Sequence, residues 1–331
     1  MKKAIAIILI AALALTSVFA NGSSEGADGA KLDKVRVAYM TNYASLWSVA
    51  AAINSGSFAE QGIEVELVEF ADGPTIIAAM ESGSIDIGYI GPGAHKLCIN
   101  GRADIFLFSQ VGNADCVIGL SSHGVTSDPA SLKGKKIGYA SGTSSEMILR
   151  WTLEEAGLTF DDIVAYEMDA AAITSAMTSG ALDACATWSP SSFTVLNNVG
   201  SDGFIISDNV RYSDRAASVA SWIVMSNYEE KNHDLLIRFT KGLLGGIDYA
   251  VANQEEDIQW VADILGVSYD NVYSQRGDAD WPTSAKILSM IESGELEKLY
   301  EVQKLGFGDA VDPATPVSDY VLFDVMLEAL K

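Results

Sequence analysis

Ala79-Met80-Glu81-Ser82-Gly83-Ser84-Ile85-Asp86 returns later in the chain as Ala176-Met177-Thr178-Ser179-Gly180-Ala181-Leu182-Asp183. In each copy a helix-like run ends at Ser-Gly, an apolar stretch follows, and a proline closes it, at Gly91-Pro92 and at Ser189-Pro190. The echo extends upstream. Lys34-Val35-Arg36-Val37-Ala38-Tyr39 is answered by Lys135-Lys136-Ile137-Gly138-Tyr139, and the run from Ile63 to Glu69 by the run from Ile163 to Glu167. Three matches in one order predict two similar α/β lobes with a cleft between them, the usual place for a small ligand.

Local patterns supply the elements. Alternation of Val35, Val37 and Tyr39 predicts a strand over 34–40, and Leu46, Val49, Ala50 and Ile53 share one face of the helix that follows. Further strands are expected over 63–70, 85–90, 104–110 and 115–121, with a helix begun by Pro74. Ser122 to Ser131 reads as a crossover. Strands over 135–140, 163–168 and 182–187 then repeat the scheme, 217–225 is an apolar return strand, and helical patterns dominate from Ser226 onward. Lobe 1 is therefore expected to comprise 33–121 with 218–331, and lobe 2 to comprise 122–217. Two crossings, near 121 and 218, would form a hinge.

Residues 1–20 read as a secretory signal: Lys2-Lys3, an apolar run from Ala4 to Leu15, and a small-x-small site at Val18-Phe19-Ala20. No Cys follows that site, so the lipoprotein pattern is missing, and 21–32 reads as a flexible leader. An exported, soluble, monomeric protein is expected. A formal charge of −23 repels nucleic acid and anionic lipid, which excludes both as expected partners. Three cysteines (Cys98, Cys116, Cys185) sit among apolar neighbours and read as buried thiols, and the three histidines show no metal-like spacing, so neither a metal nor a cofactor is expected.

Ligands of such lobes bind beyond the carboxyl ends of the strands, where helix N-termini offer unpaired N–H groups. Small polar residues stand at those ends: Asn42, Gly73, Thr75, Gly91, and Thr143-Ser144-Ser145. Helix capping alone would also place Ser and Thr there. Tyr43 and Trp188 add aromatic faces at the same edges, as do Tyr89 and, from the helical tail, Trp281. Asp169, which occupies the same place in the repeat as Asp72, would favour a ligand amine or cap a helix. The candidate ligand-binding set is thus Asn42, Tyr43, Gly73, Thr75, Gly91, Thr143, Ser144, Ser145, Asp169 and Trp188. No nucleophile elbow or phosphate loop is present in the sequence, and no catalytic residue is expected.

The stretch from Lys34 to Tyr39, Phe58-Ala59-Glu60-Gln61-Gly62-Ile63-Glu64-Val65, Ala79-Met80 with Ser82-Gly83 and Ile85-Asp86, Leu132-Lys133-Gly134-Lys135-Lys136-Ile137-Gly138 and Gly142-Thr143-Ser144-Ser145 together resemble the nitrate/sulfonate/taurine-type periplasmic binding proteins, a group that includes binders of thiamine pyrimidine precursors. The resemblance is clear over about 33–225. It implies a type II periplasmic-binding-protein fold with a helical C-terminal region. It also implies a periplasmic location and delivery of a small organic solute to an ABC permease with its cytoplasmic ATPase. An alkanesulfonate or taurine-like solute comes first, an aromatic heterocycle second. Enzymes of the desulfinase and pyrimidine-synthase type share the architecture but need a reactive Cys or His/Cys cluster. At Trp188-Ser189-Pro190 the family commonly has an acidic residue where this chain has Ser189, so no ligand chemistry carries over from that motif.

Overall fold

A computed structural model describes residues 32–331 except 214 and 216. The expected secretory signal (1–20) and nearly all of the leader (21–32) lie outside the described residues.

The repeat reads out as two sheets built on one plan. The first contains β1 (Asp33–Met40), β2 (Ile63–Phe70), β3 (Ile87–Ile90) and β4 (Asp104–Gly112). The second contains β5 (Asp115–Leu120), β6 (Lys136–Tyr139), β7 (Val164–Glu167), β8 (Ala184–Trp188) and β9 (Gly203–Asp208). The chain then returns to the first sheet with β10 (Val219–Val224) and β11 (Ala279–Asp280), giving the orders β11-β4-β10-β3-β1-β2 and β7-β6-β8-β5-β9. In each sheet a central strand pairs in parallel with its two successors, β1 with β2 and β3, β6 with β7 and β8. An antiparallel strand then closes the far side of the third member, β10 against β3 and β5 against β8.

The matched octapeptides explain that plan physically. Helices Gly73–Glu81 and Ala170–Thr178 both stop at a Ser followed by a glycine with positive φ, 76° at Gly83 and 72° at Gly180. The octapeptide's last residue then fastens the following strand to the central one. The Asp86 carboxylate accepts from the Arg36 N–H (2.9 Å), and Asp183 accepts from the Lys136 N–H (2.8 Å). Gly88 on β3 and Gly138 on β6 lie under apolar side chains: a Cβ there would meet Ile76 at 2.5 Å and Leu182 at 2.6 Å.

Two corrections to the sequence reading arise here. The first crossing between sheets lies between Gly112 and Asp115, not after Ser121. The run 115–121 pairs with β8 and β9 because its partners, Ala184–Trp188 and Gly203–Asp208, belong to the second half. β9 itself went unread as a strand although Phe204-Ile205-Ile206 lies between Gly203 and Asp208. The tail is helical as expected, with long helices at Ser226–Ala252, Gln254–Leu265, Ser284–Glu292 and Glu295–Leu305. The main hydrophobic core runs from the first sheet into one face of the second, and a smaller cluster of Ile118, Ile173, Met177, Leu182 and Val195 covers that second sheet's other face. All three cysteines are buried, free thiols.

Candidate functional site

A cleft of about 680 Å³, its open mouth included, lies where the carboxyl ends of strands from both sheets converge. The first sheet contributes Met40 and Asn42 beyond β1, Gly73 and Pro74 beyond β2, and Gly91 to Ala94 beyond β3. The second contributes Thr143 and Ser144 beyond β6 and Trp188 with Ser189 at the end of β8. The floor is the crossing itself: Gln110, Gly112, Ala114 and Asp115 on the outgoing strands, Ser218 and Ala220 on the return. Asp278, beside β11, completes the wall.

Three helices point their starts at this space. Asn42 caps Tyr43–Asn54 by accepting from the Ser45 N–H (2.8 Å), and Thr143 caps Ser144–Glu155 by accepting from the Ser145 N–H (3.2 Å). Asp72 caps Gly73–Glu81 through the Thr75 N–H (2.9 Å). Each cap engages one donor of a first turn whose other N–H groups have no intrahelical partner, and the helix dipoles add partial positive charge. The sheets approach closely here. A Cβ on Gly93 would lie 2.0 Å from the Thr143 carbonyl carbon, and one on Gly142 would lie 3.0 Å from the Pro74 ring. Lys96 and Glu146 form an ion pair across the same junction (3.4 Å).

Six of the ten sequence candidates line the cleft: Asn42, Gly73, Gly91, Thr143, Ser144 and Trp188. The other four are held elsewhere. Tyr43 turns inward, its hydroxyl donating to Asp257 (2.8 Å). Its ring meets Trp281 edge-on at 5.1 Å, and Trp281 in turn packs on Trp47, so it too faces away from the cleft. The Ser145 hydroxyl is fully buried, donating to the Ala186 carbonyl (2.7 Å) and accepting from the Ala140 N–H (3.1 Å). Thr75 and Asp169 are exposed; Thr75 bonds back to Asp72, and Asp169 caps its helix through the Ala172 N–H (2.7 Å). Asn42 and Thr143 both cap a helix and line the cleft, whereas between Ser144 and Ser145 one position of register separates a cleft-lining residue from a buried one.

Sequence reasoning passed over the acidic wall. Asp115 is 5% exposed; its N–H donates to Asn209 Oδ1 (2.6 Å) and its carboxylate accepts from Asn209 Nδ2 (3.1 Å). Burial raises its pKa, with Ser144 and Asn209 offsetting part of the rise. Burial also raises Asp278, to about 6, with the charge of Asp115 adding to the effect. Gln110 spans the floor, its Nε2 donating to Tyr89 Oη (2.5 Å) and to the Ala44 carbonyl (3.3 Å). A signal existed in the alternation of Gln110 and Asp115 with apolar neighbours at strand ends, but it shows only once the crossing is set at 113–114.

Comparison with known proteins places this architecture. A putative binding protein of Brucella abortus (strain 2308) is 30% identical over 293 residues, covering 88% of this chain and 90% of that protein. The taurine-binding periplasmic protein of Escherichia coli (strain K12) is 26% identical, over 72% of this chain and 75% of its own length. The structure of the alkanesulfonate-binding protein SsuA from Xanthomonas axonopodis pv. citri, bound to MOPS, superposes with a TM-score of 0.64 at 19% identity. That alignment covers 89% of this chain and 99% of that one. The fold is that of the periplasmic binding proteins, two α/β lobes with a helical C-terminal region. The family model described as NMT1/THI5 like matches residues 45–257, and the chain belongs to that family.

Proposed function

We propose that the protein is the solute-binding component of an ABC importer: it captures a small organic solute in the cleft between its sheets and delivers it to a membrane permease powered by an ATPase. The observation that carries this reading is the convergence of strand ends and helix starts from both halves on one space, lined by Asn42 and Gly73 on one side and Thr143, Ser144 and Trp188 on the other. A guest held there contacts both lobes at once, so its binding energy favours the closed arrangement that a permease can read. The names of its relatives make a taurine-like or other sulfonate solute the first choice, with oxygens met by helix-start N–H groups. Those relatives also support a periplasmic location, and among the described residues no helix is long and apolar enough to cross a membrane.

Binding without turnover fits the residues. Among the described residues the cleft is lined by no Cys or His. Burial raises the thiols of Cys98, Cys116 and Cys185, Cys116 to about 12, far from a reactive thiolate.

The test is a thermal-shift screen of purified protein against sulfonates, amines, pyrimidines and flavins, in which a true solute raises the midpoint with its concentration. Trp188→Ala should abolish that rise while leaving the midpoint without solute nearly unchanged. A rise that survives intact in the variant removes Trp188, and with it the cleft, from binding.

A further inference from the structure

Every charged side chain lining the cleft has the same sign. Asp115 and Asp278 line it, and among the described residues no Lys, Arg or His does. Gln110 lines the same space and carries an acceptor without a partner. Gln110 is 1% exposed, and its amide orientation is fixed because the Ala44 carbonyl can only accept, so Nε2 must face it. That leaves Gln110 Oε1 buried with no hydrogen-bond partner. A buried acceptor without a donor is destabilising, and a buried carboxylate without a counter-charge more so. These groups persist together where a guest can supply what they lack: N–H donors and positive charge. Trp188 lines the same cleft, and an aromatic side chain there also suits a cation.

Resting on the solute-binding reading, we infer that the solute carries a nitrogen-centred cation, an ammonium or amidinium group, which docks against Asp115 and Asp278 with Gln110 Oε1 as a third acceptor. A sulfonate or other anionic end, where the solute has one, is left to the helix starts at Gly73 and Ser144. The class is therefore narrower than sulfonates at large. An amino-sulfonate fits, and a sulfonate without an amine leaves the acidic wall unanswered.

Titration calorimetry with four probes separates the possibilities: taurine, ethylammonium, acetamidinium and ethanesulfonate. The inference expects a cation-bearing probe to bind, and ethanesulfonate to bind at least about tenfold more weakly than taurine, the worth of one charge-assisted hydrogen bond. Asp278→Asn should weaken the cation-bearing probe by a similar factor while the midpoint without solute holds or rises. Asp115→Asn, which keeps a partner for Asn209, should do the same. Binding should also tighten as pH rises from about 5 to 7, because Asp278 ionises near 6; Asp115 and Tyr89 are the other titratable groups lining the cleft. An anion-binding cleft gives the reverse pH trend. Ethanesulfonate bound as tightly as taurine, with Asp278→Asn neutral or improving, overturns the inference and leaves solute binding in place. The same holds if the broader screen yields only hits without a cationic nitrogen. No hit of any kind removes both readings.

Discussion

Asp257, which does not line the cleft, is a buried carboxyl placed to make stability depend on pH. It is fully buried, accepts from the Tyr43 hydroxyl, and leaves its Oδ1 without a partner. Burial raises its pKa to about 8. The folded value lies above the unfolded one of about 3.9, so the folded state holds the proton longer. Stability present below about pH 4 is therefore lost as pH rises through about 8. Asp257→Asn keeps an acceptor for Tyr43 and cannot ionise. Its melting midpoint should exceed that of the wild type by a few degrees at about pH 8.5, and the gap should close toward about pH 4. Parallel midpoint-against-pH curves would contradict this account. Tyr43 also marks a limit of sequence reading at this scale. Its place at a strand end was legible, but the side it faces depends on Asp257 and Trp281, both more than two hundred residues away.

Among the elements, the repeated Asp is the most revealing. Asp86 accepts from the Arg36 N–H and, through the side chain, from Arg36 Nε (2.9 Å) and Nη2 (2.6 Å). Asp183 accepts from the Lys136 N–H and pairs with His123 Nδ1 (2.7 Å). Both Asp residues return their own N–H to the same strand, at 3.0 Å to Arg36 and 2.9 Å to Lys136. Asp86→Ala and Asp183→Ala each strand a backbone donor of a central strand, Arg36 within β1 and Lys136 at the start of β6. Each should cost about 1–3 kcal/mol in urea unfolding. A cost near zero for either would show that the octapeptide match is not a structural repeat. This part of the fold was readable because each device is local: a capping residue, a positive-φ glycine, an Asp at a fixed offset. The sheet that owns residues 115–120 was not readable, since antiparallel pairing with 184–188 and 203–208 leaves no trace within the strand. β11, two residues long, had no pattern to read.

At the scale of the whole molecule, two halves meet at close glycine contacts, the one at Gly93 too tight for any side chain. Gly93 lies against the Thr143 backbone, Gly142 against Pro74, and the Lys96–Glu146 pair sits beside them. Cleft-lining places at Asn42, Gly73, Thr143 and Trp188 could be read from strand ends, whereas Asp115, Asp278 and Gln110 needed the crossing and the tail to be set in space. The central claim is that one solute is gripped from both sides. Hydrogen exchange with and without the solute found by the screen tests it most directly. The account predicts slower exchange on both sides of the cleft, in residues 91–95 and in residues 141–146, with the helix Ser284–Glu292 unchanged as an internal control. Slowing confined to one side, or to a surface away from the cleft, would contradict it.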